Sequence, residues 1–381
     1  MAPVATQQIE VSVLHGAHDL RTEKREIGAP GEDEVQVELK ATTLCGSDLH
    51  YWNHGANGDF KVREPLSLGH ESAGIVVAVG AGVSGLQVGD RVALEVGIAC
   101  AKCKLCLAGK YHLCPDMRFR SSAKIFPHFQ GTLQQRINHP AVLCHKIPTS
   151  VSYEEAALIE PLSVAIHAAR RAGVQPGMSV LVFGAGAVGL FAAAMAKIAG
   201  ATTIAIADIA KGRTDFALAN GFATHSYVVP MKRGATTEEK LAIATETAND
   251  ITALPLAEDD AETLGQFDVV FECTGVESCV QAGIFAAAPG GKLMFVGMGN
   301  PIQTLHIGAA ALREVDLLGV FRYSNVYPTA IRLLREKRIP AFSKLVTHRV
   351  NGLENVDRAF QIAGKPVDED GNLVIKAVIN Y

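Results

Sequence analysis

Four cysteines, Cys100, Cys103, Cys106 and Cys114, fall within fifteen residues in the pattern C-x2-C-x2-C-x7-C. Four thiolates at this spacing can close a tetrahedral shell around one zinc ion, with Zn–S bonds of about 2.3 Å. A shell filled by protein sulfur leaves no position for a substrate. The predicted role is therefore to brace the fold, and the chemistry must be sought elsewhere. The alternative is a set of unmetallated or disulfide-bonded thiols. The compact spacing argues against it, and so does a first stretch, MAPVATQQIEVSVLHG, without a basic or apolar leader segment. The expected location is cytoplasmic.

A second candidate is Gly184-Ala185-Gly186-Ala187-Val188-Gly189, a G-x-G-x-x-G run between a strand-like segment, 180–183, and a helix-like one. Alone this pattern is weak. In this context the first glycine makes the tight turn, the second lets a pyrophosphate approach, and the third lets helix and strand pack closely. The next apolar run ends in Asp208, 24 residues after Gly184. A carboxylate there can accept hydrogen bonds from the adenosine ribose hydroxyls and repel a 2′-phosphate, which points to NAD. Arg213 is the counter-signal, since arginine can hold a 2′-phosphate. Asp208 could also simply cap the helix that begins near Lys211.

These sites need elements to hold them. The 381 residues suffice for two domains, and 48% apolar residues suffice for two cores. Residues 1–160 read as mostly β, with short apolar runs at 35–39, 73–79 and 91–94 and no long helical period. Ser152 followed by Glu155 is a capping-box signal. Beyond Glu160-Pro161 strands and helices alternate: 179–183, 187–199, 203–207, 211–220, 268–272, 277–287, 292–296 and 317–321. That alternation predicts a parallel sheet with helices on both faces. The stretch 231–266, rich in Ala, Thr and Glu, reads as a surface excursion with helical bias. A helix at 326–337 and strands at 345–350 and 373–379 complete the chain.

The net charge of −4 and 19% charged residues argue against nucleic acid as a partner. The longest apolar run, 180–196, is broken by three glycines and falls short of the roughly 20 residues of a membrane span. It reads as a buried strand followed by a buried helix.

Cys45, His70, Glu71 and Glu160 have no local spacing that links them. Each alone reads equally well as a buried thiol, a core histidine or a solvated carboxylate. Together, however, Cys45-Gly46-Ser47-Asp48-Leu49-His50, Gly69-His70-Glu71, the four-cysteine loop and the late GAGAVG turn resemble the zinc-containing medium-chain alcohol dehydrogenase family, in order and over nearly the whole chain. The segments Cys45–Trp52, Ile159-Glu160-Pro161-Leu162-Ser163, Gly319-Val320-Phe321-Arg322-Tyr323 and Val346-Thr347-His348-Arg349 are similar to its polyol branch.

The resemblance implies an α/β protein: a GroES-like, mostly-β catalytic domain at 1–160 and 322–381, and a Rossmann, doubly wound NAD-binding domain at 161–321. It implies two zinc ions per chain, a structural one on the four cysteines and a catalytic one on Cys45, His70 and Glu71. Glu160, Ser47 and His50 would be catalytic, with Glu160 holding the metal-bound water or a substrate hydroxyl and Ser47 and His50 relaying the proton. Which glutamate touches the metal at each step stays open. Asp48 would orient His70, or merely cap a turn. Tyr51, Glu160, Arg322 and Tyr323 would contact a polyol. Gly184, Gly186, Val188, Gly189, Asp208, Arg213, Val296, Met298, Val320 and Arg322 would bind the cofactor. Arg322 could serve the substrate or a cofactor phosphate.

Two departures matter. Ala187 replaces a frequent proline, and Gly46 stands where primary-alcohol enzymes carry a basic residue. The implied reaction is zinc- and NAD-dependent oxidation of a polyol to a ketose by a homotetramer. D-sorbitol to D-fructose leads, with xylitol or L-arabinitol as rivals. A non-catalytic zinc-stabilised relative and a zinc-ribbon nucleic-acid binder are the competing classes.

Overall fold

The computed structural model describes residues 6–257 and 261–381. The chain divides into two compact units. The first takes in the chain up to Ser163 together with Ser324–Lys337 and Phe342–Tyr381; the second takes in Val164–Tyr323 with Arg338–Ala341.

Among the described residues, the main sheet of the first unit has seven strands. Its backbone is Glu34–Thr43, where Val35, Val37 and Leu39 alternate inward and are fully buried against Val76, Val92 and Leu94. This is the period-two pattern of a half-buried strand. Glu71–Val79 pairs antiparallel along one edge. Along the other edge, Arg136–Pro140 covers the first half and the closing strand, Lys376–Asn380, covers the last three residues. A hairpin of Gln7–Gly16 and Asp19–Ile27 stands beside this sheet.

The sequence shows no long helical period before Ser152, and the short segment Gly46–His54 is helical. Its residues show no apolar period. The helix is fixed at its ends instead, by a capping box of Cys45 and Asp48 and by Gly55 in the left-handed region at φ 63°. The Ser152–Glu155 capping box forms as expected.

The second unit holds a parallel sheet of six strands among the described residues. Their order in space is His225–Val228, Thr203–Asp208, Ser179–Phe183, Phe267–Glu272, Ala287–Phe295 and Asp316–Gly319. Numbered by sequence this is 3-2-1-4-5-6, the doubly wound order, whose direction reverses between the first and fourth strands. The apolar run 180–196 is the central strand plus the helix Ala187–Ala199, stopped by Gly200 at φ 96°. The stretch 231–266 is not merely an excursion. Thr237–Thr252 is a helix whose Ala244, Ala248 and Ile251 enter the core of this unit. Alanines at the buried positions hide the apolar stripe from a hydropathy reading. Among the described residues no helix is long and apolar enough to cross a membrane.

Candidate active site

Strand register brings the first donor set together. Thr43 pairs with Glu71 across the sheet. Cys45 lies two residues beyond Thr43, and His70 lies one residue before Glu71. Gly69 makes the turn possible at φ 88°, where an added Cβ would sit 3.0 Å from atoms of Leu133, Thr132 and Thr42. One donor atom each from Cys45, His70 and Glu71 lies within 4.8 Å of the others. His70 and Glu71 are buried and Cys45 is half-buried.

The residues fit a divalent metal. Glu71 is completely buried, yet its Oε1 has no hydrogen-bond partner among the described residues. A buried carboxylate oxygen left unpaired is costly unless a cation completes it. Sulfur, imidazole and carboxylate are zinc donors, and three protein ligands leave a fourth position open.

Asp48 backs this set. It is fully buried and accepts Ser121 Oγ at 2.7 Å, the Gly69 amide at 3.1 Å and the Cys45 amide at 3.2 Å. His70 Nδ1 lies 3.3 Å from Asp48 Oδ1, close enough for attraction but not aligned as a hydrogen bond. Burial pushes the Asp48 carboxyl up, but the nearby His70 ring and the bonds from Ser121 and Gly69 outweigh it, and the net direction is down. Asp48 thus caps the helix, as one reading from sequence expects, and faces His70.

On the other side, Glu71 Oε2 accepts from the Thr43 hydroxyl and from Lys376 Nζ, and Lys376 also donates to the Leu44 carbonyl at 2.8 Å. Burial pulls the Lys376 ammonium down, but the charges of Glu71 and Cys45 and the bond to Glu71 more than offset it. Lys376, Thr43 and Ser121 were not foreseen from sequence. Their signal is the three-dimensional register alone.

Ser47, His50 and Tyr51 share the helix Gly46–His54. Ser47 and His50, one turn apart, are both half-buried. Burial, with His54 beside it, lowers the pKa of His50. Tyr51 is only 2% exposed, and its hydroxyl accepts the Ala123 amide at 3.0 Å. It therefore anchors the stretch 119–129, from which Phe119 also packs on the His70 ring with centroids 5.6 Å apart. Glu160 is buried in the first turn of Ile159–Ala172, outside the three-donor group. It adds to the negative field at Lys376.

The second donor set is Cys100, Cys103, Cys106 and Cys114, with all four sulfurs within 4.8 Å of one another and all four thiols free. The Cys103–Cys106 and Cys100–Cys106 sulfurs are 3.5 and 3.9 Å apart. A tetrahedral ZnS4 centre requires about 3.8 Å. Amides of Lys102 and Cys103 pull the Cys100 thiol down toward the thiolate, while burial and the neighbouring sulfurs push the Cys106 thiol up. The lobe is moored by Tyr111, whose hydroxyl donates to Glu95 and accepts the Asn325 amide at 2.8 Å, while Asn325 Nδ2 donates to Gly109 O at 3.0 Å.

In the second unit, Gly184, at φ 95°, follows the central strand. A Cβ on Gly189 would lie 1.7 Å from the Gly184 carbonyl. Asp208 ends its strand and accepts the Ala185 amide at 2.7 Å and the Ala210 amide at 2.8 Å. The following helix is N-capped by Ala210, not by Asp208. Asp208 therefore braces the glycine turn and lies at the end of the strand beside it.

Gly186, Val188, Val296 and Val320 are half-buried, Met298 is half exposed, and Arg213 lies in the first turn of Lys211–Ala219. Arg322 is in the left-handed region at φ 53°, its guanidinium 4.6 Å from the Phe321 ring centroid, and Tyr323 is buried. A further feature went unforeseen. Glu272 accepts the amides of Thr274 at 2.7 Å and Gly275 at 2.9 Å, and a Cβ on Gly297 would strike the Gly275 nitrogen at 2.2 Å. The turns after the fourth and fifth strands run backbone against backbone beside the glycine turn.

A three-donor metal set, a closed four-thiolate set and a doubly wound nucleotide sheet define a zinc-binding dehydrogenase. Residues 31–149 match the family described as Alcohol dehydrogenase GroES-like domain, and residues 187–336 match Zinc-binding dehydrogenase. The chain is 41% identical to sorbitol dehydrogenase of Gallus gallus over 94% of both chains. It is 40% identical to the Homo sapiens sorbitol dehydrogenase over 92% of this chain and 91% of that one. It is also 43% identical to probable D-xylulose reductase A of Emericella nidulans over 92% and 91%. Among solved structures, L-idonate 5-dehydrogenase of Escherichia coli aligns with a TM-score of 0.83, 26% identity and 99% coverage of each chain. The chain belongs to the zinc-containing medium-chain alcohol dehydrogenase family, in its polyol branch.

Proposed function

We propose that this protein oxidises a secondary hydroxyl of a polyol to a ketone with NAD, D-sorbitol to D-fructose being the leading pair. The observation that carries the reading is the Cys45–His70–Glu71 set with its unpaired, buried Glu71 oxygen. Relatives named as sorbitol dehydrogenases support the substrate class. In this reading 1–160 with 322–381 is the catalytic part and 161–321 the NAD-binding part. Cys45, His70 and Glu71 hold a catalytic zinc, and the four cysteines hold a structural one.

When bound, zinc supplies Lewis acidity toward a hydroxyl and the nicotinamide supplies a hydride acceptor. The chain does the rest. Glu160 accepts a hydrogen bond from the reacting hydroxyl and orients it. Ser47 and His50 carry its proton away, burial favouring the neutral form of His50. Asp48 holds the His70 ring. Arg322 and Tyr323 contact the distal polyol hydroxyls, with Arg322 also able to meet a cofactor phosphate. Tyr51 shapes the polyol site through the stretch it anchors. Gly184, Gly186 and Gly189 admit the pyrophosphate, Asp208 takes the ribose hydroxyls, Arg213 flanks the ribose, and Val188, Val296, Met298 and Val320 line the cofactor.

A cytoplasmic homotetramer is part of this proposal. Two thiolate-containing metal sets with eight free cysteines suit a reducing compartment. Light scattering of the purified protein tests the tetramer.

Steady-state rates with sorbitol, xylitol and L-arabinitol, each with NAD and NADP, test the reaction. The highest kcat/KM should be for sorbitol with NAD. A preference for xylitol would move the assignment to the second reading, which the 43% identity to a probable D-xylulose reductase favours. No turnover of any polyol by protein carrying two zinc ions would overturn the enzyme reading.

A further inference from the structure

We propose that Lys376 is a positioning residue that makes Glu71 a one-oxygen metal ligand and keeps the metal centre electrophilic. The proposal rests on the reading of Cys45, His70 and Glu71 as a metal set.

The geometry comes from the closing strand. Val378 pairs with Thr43 and Leu44 donates its amide to Ala377 O, so continuing the antiparallel register sets Lys376 opposite Cys45. Its ammonium is buried and bridges the two segments that carry the donors. One proton goes to the carbonyl of Leu44, immediately before Cys45, and another goes to Glu71 Oε2. The Thr43 hydroxyl donates to that same oxygen. With Oε2 taken twice, Oε1 alone remains for a metal, and among the described residues it has no other partner.

Charge gives the second half. A thiolate and a carboxylate formally cancel a dication. The buried ammonium returns one positive charge and draws electron density from Glu71. In a low-dielectric interior a fixed charge in contact with a ligand's far oxygen acts, through that carboxylate, on the metal's affinity for an incoming oxygen. A simple structural salt bridge would hold the fold without this effect.

The test uses full-length protein with Lys376→Met, Lys376→Arg and Thr43→Val. Metal content, cobalt-substituted absorption spectra and metal release to a chelator are measured alongside kcat and KM. The four-thiolate centre is the internal reference and should not change. In Lys376→Met the second metal should leave roughly tenfold faster or more, in the range typical of lost outer-shell partners. The cobalt bands of that site should shift, and kcat should fall more than KM for the polyol rises. Lys376→Arg should restore most of the spectrum and retention.

A folded Lys376→Met with unchanged cobalt bands and release rate would overturn the proposal. If Lys376→Met does not fold, Thr43→Val must show a smaller change in the same direction, and no change there overturns it. Wild-type protein holding one metal per chain would instead overturn the metal-set reading itself.

Discussion

Arg120 and His139 show how much a single buried contact can carry. A guanidinium only donates, so Arg120 Nε, at 3.2 Å, fixes His139 Nδ1 as the acceptor and leaves Nε2–H to donate to Glu95 O at 3.1 Å. A proton on Nδ1 would face Arg120. Burial and the Arg120 charge pull His139 down to about 3. The unfolded chain therefore binds a proton that the folded one refuses between that value and about 6.5, the ordinary histidine pKa. The contribution is fully present above the unfolded value and is lost as pH falls, by about 2 kcal/mol at pH 5. Urea unfolding at pH 7 and pH 5 should show that loss in the wild type and a smaller one in His139→Gln; equal losses would refute it. At Cys45 the expectation is different in kind. Cys45→Ser should keep the far-UV spectrum, drop zinc from two per chain to one, and lower kcat by about 10³-fold or more, given what a metal supplies to such a reaction. Metal analysis and turnover check it, and two retained zinc ions would refute it.

Elements differ in how openly the sequence displays them. The strands Ser179–Phe183, Thr203–Asp208 and Phe267–Glu272 were legible almost to the residue, because strands buried on both faces are unbroken apolar runs. Gly46–His54 was not, because its end caps make it a helix and its side chains do not. Thr237–Thr252 was legible as helical but not as core, because its inner face is mostly alanine and threonine, with Ile251 alone as a large apolar residue. The same division runs through the sites. The four cysteines sit in one loop and announce themselves by spacing. Cys45, His70 and Glu71 meet only through strand pairing, so family resemblance was needed to suggest them. Lys376 arrives from over 300 residues away and left no trace.

The glycine turn supports a prediction at this scale. A Cβ at Gly189 would meet the Gly184 carbonyl at 1.7 Å, so Gly189→Val must displace strand from helix. NADH fluorescence titration should show binding lost while both zinc ions stay. Asp208→Ser should narrow the preference for NAD over NADP by about tenfold or more, if the carboxylate is what repels a 2′-phosphate; an unchanged ratio of kcat/KM values would remove Asp208 from that role.

For the molecule as a whole, the expected effect of the four-cysteine lobe is on stability rather than turnover. Tyr111 and Asn325 tie it to segments far apart in the chain, so its collapse would free more than fifteen residues. Cys103→Ser should lose one zinc and lower the thermal midpoint by roughly 5 °C or more, since structural zinc contributes folding energy directly. Calorimetry with metal analysis checks this. A zinc ion lost with no change in midpoint would show that the lobe is not a brace.

The two metal sets also differ in when a growing chain can complete them. All four lobe cysteines leave the ribosome together, so that centre can fill while most of the second unit is still unmade. Cys45, His70 and Glu71 emerge earlier still, yet the ammonium that clamps Glu71 lies on Lys376–Asn380, which is made only after the whole nucleotide sheet. If the first set braces and the second reacts, the bracing metal would be acquired early in synthesis, and the reacting one would be held in its final form only when the chain is almost complete.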